Sequence, residues 1–361
     1  MLENDGEREV AHSAFFFLLT SVLLLPSIIA YFSCRLRHRP PTFIKLFTIL
    51  FIWMAGIGVI MGISNLRATI VMFLRILIAF EALCMMYAYS YVYGEDKKIY
   101  WMAILMQAIF LFQYAQIYSI ANLAGEAHLI TSYYALFLLP LALKHPSKII
   151  RVASILIVTF AVFASFKRGG LIALALGLIV YIICSNNIQS KGLKTFTYVL
   201  FALCTIGTVF YYLSMSDFGG VIERIASIGD DGGSGRTDVW SKTWEMILQS
   251  NFFRFLIGHG NNAVLLDSPL KLSAHNDLLE AWYDYGLLGC LLYISVLVSL
   301  IRYAIRQLKK RSAIAPSMMM MVTIMGTLTM ISHVLIYFFL TLCCLTFGLL
   351  AGQERFYEQH K

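Results

Sequence analysis

The sequence of 361 residues has few charged side chains, since only 13% of its residues are Asp, Glu, Lys or Arg. Soluble domains usually carry about a quarter charged residues and cannot bury an apolar fraction as large as the 59% found here. Apolar runs of about 20 residues recur along the chain, which is the pattern of transmembrane helices. The scarcity of charge therefore excludes a soluble domain and predicts an all-α, polytopic bundle of transmembrane helices.

Motifs for disulfides, zinc and nucleotides are also missing. None of the seven cysteines lies in the long polar stretch and no C-x-x-C pair occurs, which argues against a disulfide framework or a cysteine zinc site. The glycine-rich stretch at 218–235 lacks G-K-[ST] and follows no strand, so it is not a P-loop. A cleaved signal peptide is not expected, because the first apolar run, 12–33, has full spanning length and lacks a small-x-small exit.

The apolar runs predict eleven spans, or twelve if one has been missed. The span at 129–144 is short, and the last two spans, which divide near Ile336, are alternatively one bent pair. The predicted spans are 13–33, 43–64, 69–93, 99–121, 129–144, 149–166, 170–185, 195–214, 276–300, 316–335 and 337–353. They divide the chain into N-terminal helices at 1–214, a polar loop with an amphipathic helix at 215–275 and C-terminal helices at 276–361.

The net charge of +8 is interpreted as a positive-inside bias and not as a sign of nucleic-acid binding. Alternate gaps between the spans hold eighteen and nine Lys and Arg residues. This bias predicts a cytoplasmic C-terminus and an N-terminus outside, and it places the loop 215–275 outside, which in a bacterium means the periplasm. Arg75 lies inside the span 69–93, where it faces a polar cavity or an acidic partner, or snorkels to the interface.

Three arginines in outer gaps are candidates for binding an anion. Arg168 lies in a tight Lys-Arg-Gly-Gly turn between two spans, where its planar fork can meet a phosphate. The alternative is an ordinary hairpin whose cation binds lipid headgroups. Arg224, in the polar loop, is a weaker candidate of the same kind.

Arg236 directly precedes a predicted amphipathic helix. Trp240, Trp244 and Ile247 recur at i, i+4 and i+7, a spacing that forms one apolar face suited to a membrane interface. A helix start has free N–H groups, and an arginine beside it makes a natural anion site. The alternative is a solvated loop arginine.

His275 stands immediately before an apolar helix. Asn276 is suited to cap that helix, and Glu280 and Asp284 follow at i, i+4 positions inside the bilayer, where they need partners such as Arg75, Arg168 or Arg236. The alternative is that the histidine only caps and the carboxylates are structural. Two other histidines are interpreted as structural: His259 lies in a turn, and His333 lies in a span.

The spacing of His275-Asn276, nine residues and then Gly286-Leu-Leu-Gly289 resembles a family signature, H-[NSQ]-x9-G-x-x-[GTY]. This signature is that of the O-antigen ligase and polymerase superfamily. The turn at 168–171 looks like the arginine turn of that family, and the segment 235–260 is similar to its loop before the histidine. The resemblance covers roughly residues 150–300. Members commonly have twelve spans with both ends cytoplasmic, which differs from the eleven predicted here.

The resemblance implies a GT-C type membrane glycosyltransferase of the bacterial inner membrane, with its active face in the periplasm. Such an enzyme takes a glycan from an undecaprenyl diphosphate carrier and joins it to an acceptor hydroxyl, without a cofactor, a metal ion or a nucleotide sugar. Its partners would be the lipid-linked donor, a lipid-linked glycan or lipid A-core acceptor, membrane lipids and, for a polymerase, a chain-length regulator protein. No nucleic acid is expected.

The residues fit that chemistry. Guanidinium forks can stabilise the diphosphate leaving group, a role that we assign to Arg168 and Arg236, with Arg224 as a further diphosphate contact. His275 is suited to accept or orient the proton of the acceptor hydroxyl, and direct displacement predicts inversion at the anomeric carbon. Supporting roles are expected for Asn276, Glu280, Asp284 and Arg75.

The acceptor separates the two enzymatic alternatives. A polysaccharide polymerase uses another lipid-linked glycan, whereas an O-antigen ligase uses lipid A-core. We favour the polymerase, because the chain is short and its N-terminal part matches no ligase pattern. A lipid-linked sugar transporter is a third alternative, but it would show broken helices and charges near the midplane, often in paired halves.

Overall fold

The computed structural model of the chain describes residues 2–37, 39–61, 66–123, 132–165, 167–186, 236–335 and 339–360. In these ranges the chain forms helices joined by turns, and no strand occurs. The predicted span at 195–214, the glycine-rich stretch at 218–235 and the predicted boundary at Ile336 lie outside the described residues. The predicted all-α, polytopic membrane fold is confirmed.

The helices of the described residues are α1 (Leu2–Arg37), α2 (Thr42–Met61), α3 (Leu66–Tyr93), α4 (Lys97–Leu123), α5 (Ser132–Ala142), α6 (Lys148–Ala164), α7 (Arg168–Asn186), α8 (Arg236–Gln249), α9 (Phe252–Ile257), α10 (Ala263–Asp267), α11 (Asp277–Lys309), α12 (Ala315–Ile331) and α13 (Phe339–Gln359). Within these ranges, α1, α2, α3, α4 and α11 are long and apolar enough to cross a membrane. The helices α5, α7 and α12 are apolar but shorter. The count of eleven crossings and the three-part division of the chain stay predictions.

One apolar core joins the N-terminal and C-terminal helices. In it α3 packs along α1 and α13, α7 packs along α12, and α2 packs along α11. Close approach of α13 to α3 depends on small residues, since a Cβ on Gly348 or Gly352 would lie 2.5 Å from a backbone carbonyl oxygen of α3. The core therefore fixes α11 and α12, the two helices whose ends form the candidate site.

The helix α11 is broken at Gly286, the first glycine of the signature. Its φ of 72° and ψ of 176° are not helical, and a positive φ of this kind favours glycine. A Cβ here would lie 2.2 Å from the carbonyl oxygen of Leu256, so the close approach of the end of α9 also needs a residue without a side chain. The end of α9 thus lies against Gly286, whereas Gly289 faces Trp53 of α2.

The break frees three consecutive carbonyls from the helical ladder, and each accepts a hydrogen bond from outside the helix. The pairs are His259 N to Tyr283 O at 3.0 Å, Gly260 N to Asp284 O at 2.9 Å and Trp53 Nε1 to Tyr285 O at 2.9 Å. Because unpaired buried carbonyls are costly, these donors stabilise the broken helix. The donors at His259 and Gly260 also attach the polar segment, residues 250–275, to the start of α11.

The predicted amphipathic helix corresponds to α8, which begins at Arg236. It buries Val239, Thr243 and Ile247, and Ile247 joins a small second core over the first turns of α11. The two tryptophans predicted for the membrane interface also contact the protein, and their place at an interface stays a prediction. Trp240 Nε1 donates to Ala274 O at 2.7 Å, and the Trp244 ring lies edge-on to Trp282 with centroids 5.3 Å apart.

Candidate active site

Three helix starts that lie far apart in the sequence come together in the structure. They are the first residues of α7, α8 and α11. The charges of Arg236 and Lys167 both act on the His275 imidazole, and a Cβ on Gly169 would lie 3.2 Å from the Ile331 side chain at the end of α12. The structure thus brings the predicted residues Arg236 and His275 together, beside the turn that precedes α7.

The other two predicted arginines are not tested by side-chain geometry. Arg168 is the first residue of α7, but its side chain lies outside the described part of the structure. Arg224 lies wholly outside the described residues. Their roles at a diphosphate stay predictions, although the position of the α7 start places the Arg168 backbone at the site.

The backbone of His275 adopts a left-handed conformation, with φ of 52°. A residue with a side chain rarely holds this conformation unless its surroundings fix it. Ala274 is fixed on both sides, because its carbonyl accepts from Trp240 and its N–H donates to Glu280 Oε1 at 2.8 Å. The predicted N-cap is confirmed, because Asn276 Oδ1 accepts from the first turn of α11.

A second histidine lies against the first. The rings of His275 and His333 have centroids 4.4 Å apart and planes inclined at 38°. His333 is 1% exposed, and its Nδ1 lies 3.1 Å from Glu280 Oε2. Its interpretation as a histidine of the core alone is therefore incomplete. The sequence signal that could have found it was an ionisable residue in an apolar run.

The described partners of the α11 carboxylates are backbone N–H groups and His333, and the predicted pairing with arginines stays a prediction. Glu280 binds Ala274 N–H and His333, and Asp284 accepts from the backbone N–H groups of Asn262 and Val264, both at 3.0 Å. Backbone N–H groups satisfy a buried carboxylate without the desolvation of a second charge. Asp284 therefore holds the polar segment onto α11.

Arg75 contacts residues of α1 and α3. Its guanidinium lies over the ring of Phe17 in α1, with 5.5 Å to the centroid, and Nη1 lies 4.0 Å from Met72 Sδ. These contacts join α3 to α1. None of the contacts described for Arg75 reaches a residue of the candidate site, so the expected supporting role receives no structural argument.

A buried cluster below His275 has the spacing of a metal site within the part of the chain that the structure describes. Asp277, Glu280 and His333 offer ligand atoms that lie within 4.8 Å of one another. Each carboxylate oxygen already accepts a hydrogen bond, however: those of Asp277 come from Val334 N, Leu335 N and Tyr293 Oη. Since internal donors satisfy these oxygens, we assign no metal to the cluster.

Burial, followed by the nearby charges of His333, Arg236 and Lys167, lowers the pKa of His275 from 6.5 to about 4. The imidazole is therefore neutral near pH 7, the form that can accept a proton. A neutral histidine beside Arg236 and Lys167 is suited to a particular kind of reaction. In such a reaction the imidazole accepts a proton while negative charge develops near the cations.

The cations and the carboxylates of this site differ in solvent exposure. Arg236 and Lys167 are partly exposed, whereas Asp277, Glu280 and Asp284 are each at most 1% exposed. Within the described part of the chain, no hydrogen bond is recorded from the Arg236 guanidinium. The open face of the site is thus positive, and it suits an anionic group such as a phosphate. Together with the fold, this defines a polytopic membrane protein in which a histidine and partly exposed cations lie together at one site.

Residues 153–294 match the family model described as O-antigen ligase. No curated protein matches the chain. The match contains the three segments that meet at the site, and it confirms the resemblance to the O-antigen ligase and polymerase superfamily. The match indicates a function of the O-antigen ligase or polymerase type, in a multi-pass membrane protein.

Proposed function

We propose that this protein is a glycosyltransferase that moves a glycan from an undecaprenyl diphosphate carrier to an acceptor sugar hydroxyl, as a surface-polysaccharide polymerase. The observation that carries the proposal is a half-buried His275 with a lowered pKa beside the partly exposed cations Arg236 and Lys167. A base and a positive face are the two elements that transfer from a diphosphate carrier requires. The O-antigen ligase match over residues 153–294 supports the same class.

In the proposed reaction the acceptor oxygen attacks the anomeric carbon of the donor glycan. His275 takes the proton from the acceptor hydroxyl as the new carbon–oxygen bond forms. Neutral imidazole is the required form, and the lowered pKa of His275 maintains it at pH 7. Attack by one acceptor opposite the leaving group inverts the configuration of the anomeric carbon.

The bond from the anomeric carbon to the diphosphate oxygen breaks in the same step. The lipid diphosphate leaves with the electron pair, and its negative charge increases. Arg236, at the N-terminus of α8, meets this charge with its guanidinium fork, and the free N–H groups of the helix start add to the field. We assign Arg168 and Arg224 to the same anion by sequence resemblance, and guanidinium groups supply positive charge that metal ions supply in other transferases.

The glycan phenotype of a deletion strain tests this function. Loss of a polymerase leaves single repeat units attached to the lipid core. A strain that attaches no glycan and accumulates lipid-linked polymer would make the protein an O-antigen ligase with lipid A-core as acceptor. A strain with normal surface glycan would overturn both enzymatic assignments.

The periplasmic location of the site is part of the proposal. It rests on the excess of Lys and Arg in the opposite set of gaps, since such residues accumulate in cytoplasmic loops. A single-cysteine scan of residues 236–275 with a membrane-impermeant thiol reagent is expected to label intact cells after outer-membrane permeabilisation. Labelling only after the inner membrane is broken would place the site in the cytoplasm and contradict the scheme.

A further inference from the structure

His333 lies outside the matched segment 153–294 and 58 positions after His275, yet its ring is the nearest aromatic neighbour described for His275. The ring centroids are 4.4 Å apart, and His333 is almost completely buried. A buried ring at this distance limits the rotation of the His275 side chain. The position of the His275 imidazole therefore depends on what fixes His333.

Glu280 fixes it. This carboxylate is 1% exposed and uses its two oxygens for different partners. Oε2 lies 3.1 Å from Nδ1 of His333, and Oε1 accepts the N–H of Ala274, the residue before His275, at 2.8 Å. The Glu280 side chain thus holds both the His333 ring, which lies against His275, and the backbone next to His275. The φ of His275 is 52°.

Asp277 holds the backbone that follows His333. Its oxygens accept from Val334 N at 3.0 and 3.1 Å and from Leu335 N at 3.2 Å, so the chain at 333–335 is tied to the first turn of α11. The first turn of α11 therefore fixes His275 on one side and His333 on the other. Arg236 and Lys167 approach from α8 and from the turn before α7, and they face His275 as charges.

We propose that Glu280 and His333 form a positioning pair that holds the imidazole of His275 in the orientation required for proton transfer. This inference rests on the proposed function, in which His275 is the base. Neither residue of the pair touches the reacting atoms. Their contribution is the geometry of His275, and misplacement of a catalytic group by about 1 Å can cost about 10²-fold in rate.

Two substitutions separate the parts of the pair. His333→Phe keeps a ring against His275 but loses the contact with Glu280. With the proton of His333 on Nδ1, Glu280→Gln has one acceptor oxygen and cannot bind Ala274 N–H and His333 Nδ1–H together. The matched control is His259→Phe, because the His259 ring also stacks on an aromatic neighbour, Tyr283, at 4.0 Å and does not belong to the site.

The assay uses the purified full-length chain in lipid nanodiscs with lipid-linked glycan extracted from the deletion strain. Both variants of the pair should lower kcat by about 10- to 100-fold with KM within about two-fold, whereas the control stays within about two-fold of wild type in both. In His333→Phe the acid limb of the pH profile should also move to higher pH, since one neighbour that lowers the pKa of His275 is lost. A purely structural role would not move that limb.

A readout independent of activity distinguishes failure of the pair from failure of the proposed function. In ¹⁵N-histidine-labelled protein, the ring signals of His275, assigned by their loss in His275→Ala, should shift in both variants and not in the control. Normal kcat, an unmoved acid limb and unshifted His275 signals would overturn the pair. If His275→Ala keeps full activity, the proposed function fails instead, while the ring signals still decide the pair.

Discussion

Charged side chains have different partners at the two ends of α11. At the end near Lys310, opposite charges are paired: Lys310 lies 2.7 Å from Glu358 and 3.5 Å from Glu354, and Lys144 lies 3.7 Å from Glu95. At the end near His275, the described carboxylates are buried against backbone N–H groups and His333. The cations there are partly exposed and lie on the open face.

This difference separates a structural arrangement from a binding arrangement. Paired charges cancel, so the Lys310 and Lys144 side chains themselves offer little field to a ligand. Where carboxylates are satisfied internally, as Glu280 and Asp284 are, they do not neutralise the Arg236 guanidinium, which can meet an anion. Changes at the His275 end should therefore alter chemistry, and changes at the Lys310 end should alter stability slightly.

The largest effect is expected for His275→Ala. Removal of the proton acceptor should lower the transfer rate by about 10²- to 10⁴-fold, the usual contribution of general base catalysis. Long-chain glycan should disappear in a complemented deletion strain while the membrane level of the protein, measured by immunoblot, stays normal. Full-length glycan in this strain would contradict the catalytic role.

Substitution at the helix break should have a large effect on stability. In Gly286→Ala the new Cβ would lie 2.2 Å from Leu256 O at a φ of 72°, so we expect a loss of about 2–4 kcal/mol. Gly326→Ala is the matched control, because nothing lies within 4 Å of its added Cβ, and the helix should gain up to about 1 kcal/mol. Thermal unfolding in detergent measures both. Equal melting temperatures would show that the break is not required.

A smaller loss of activity is expected for Arg236→Lys. A point charge replaces a planar fork, so kcat/KM should fall by about 10- to 100-fold if the guanidinium binds the leaving diphosphate. Arg355→Lys at the opposite end is the control, since a lysine can keep the ion pair with Glu358. Wild-type kinetics for Arg236→Lys would indicate a solvated arginine.

Loss of the ion pairs at the Lys310 end of α11 should have little effect on activity or stability. Lys310→Gln removes two ion pairs from a side chain that is 45% exposed, and exposed pairs of this kind contribute at most about 1 kcal/mol. Transfer activity should be unchanged, and the melting temperature should fall slightly. A loss of activity without unfolding would mean that the paired end also takes part in the reaction.

The smallest effect is expected from moderate acid. His275 acts in its neutral form, and activity is lost as the pH falls through its pKa. Since that pKa is lowered from 6.5 to about 4, the rate at pH 5.5 should stay within about two-fold of the rate at pH 7. A half-maximal rate near pH 6.5 would show that the imidazole is solvated.

Local signals in the sequence predicted the membrane helices, the start of α8 at Arg236 and the Asn276 cap of α11. Hydropathy and capping depend on neighbouring residues, so a sequence displays them directly. The motif of His275 with two following glycines was visible for the same reason, and it led to the family resemblance. The partner of each carboxylate could not be predicted from the sequence, because several donors of similar strength compete for every carboxylate.

The sequence by itself determined that this chain is a bundle of membrane helices and that His275 and the outer arginines are its candidates for chemistry. Only the tertiary structure decided that His333 covers His275, that Glu280 holds both, and that Gly286 breaks α11 to receive a loop. Those contacts join residues far apart in the chain. Packing of α11 against α12 and the polar segment creates them, and no local pattern encodes that packing.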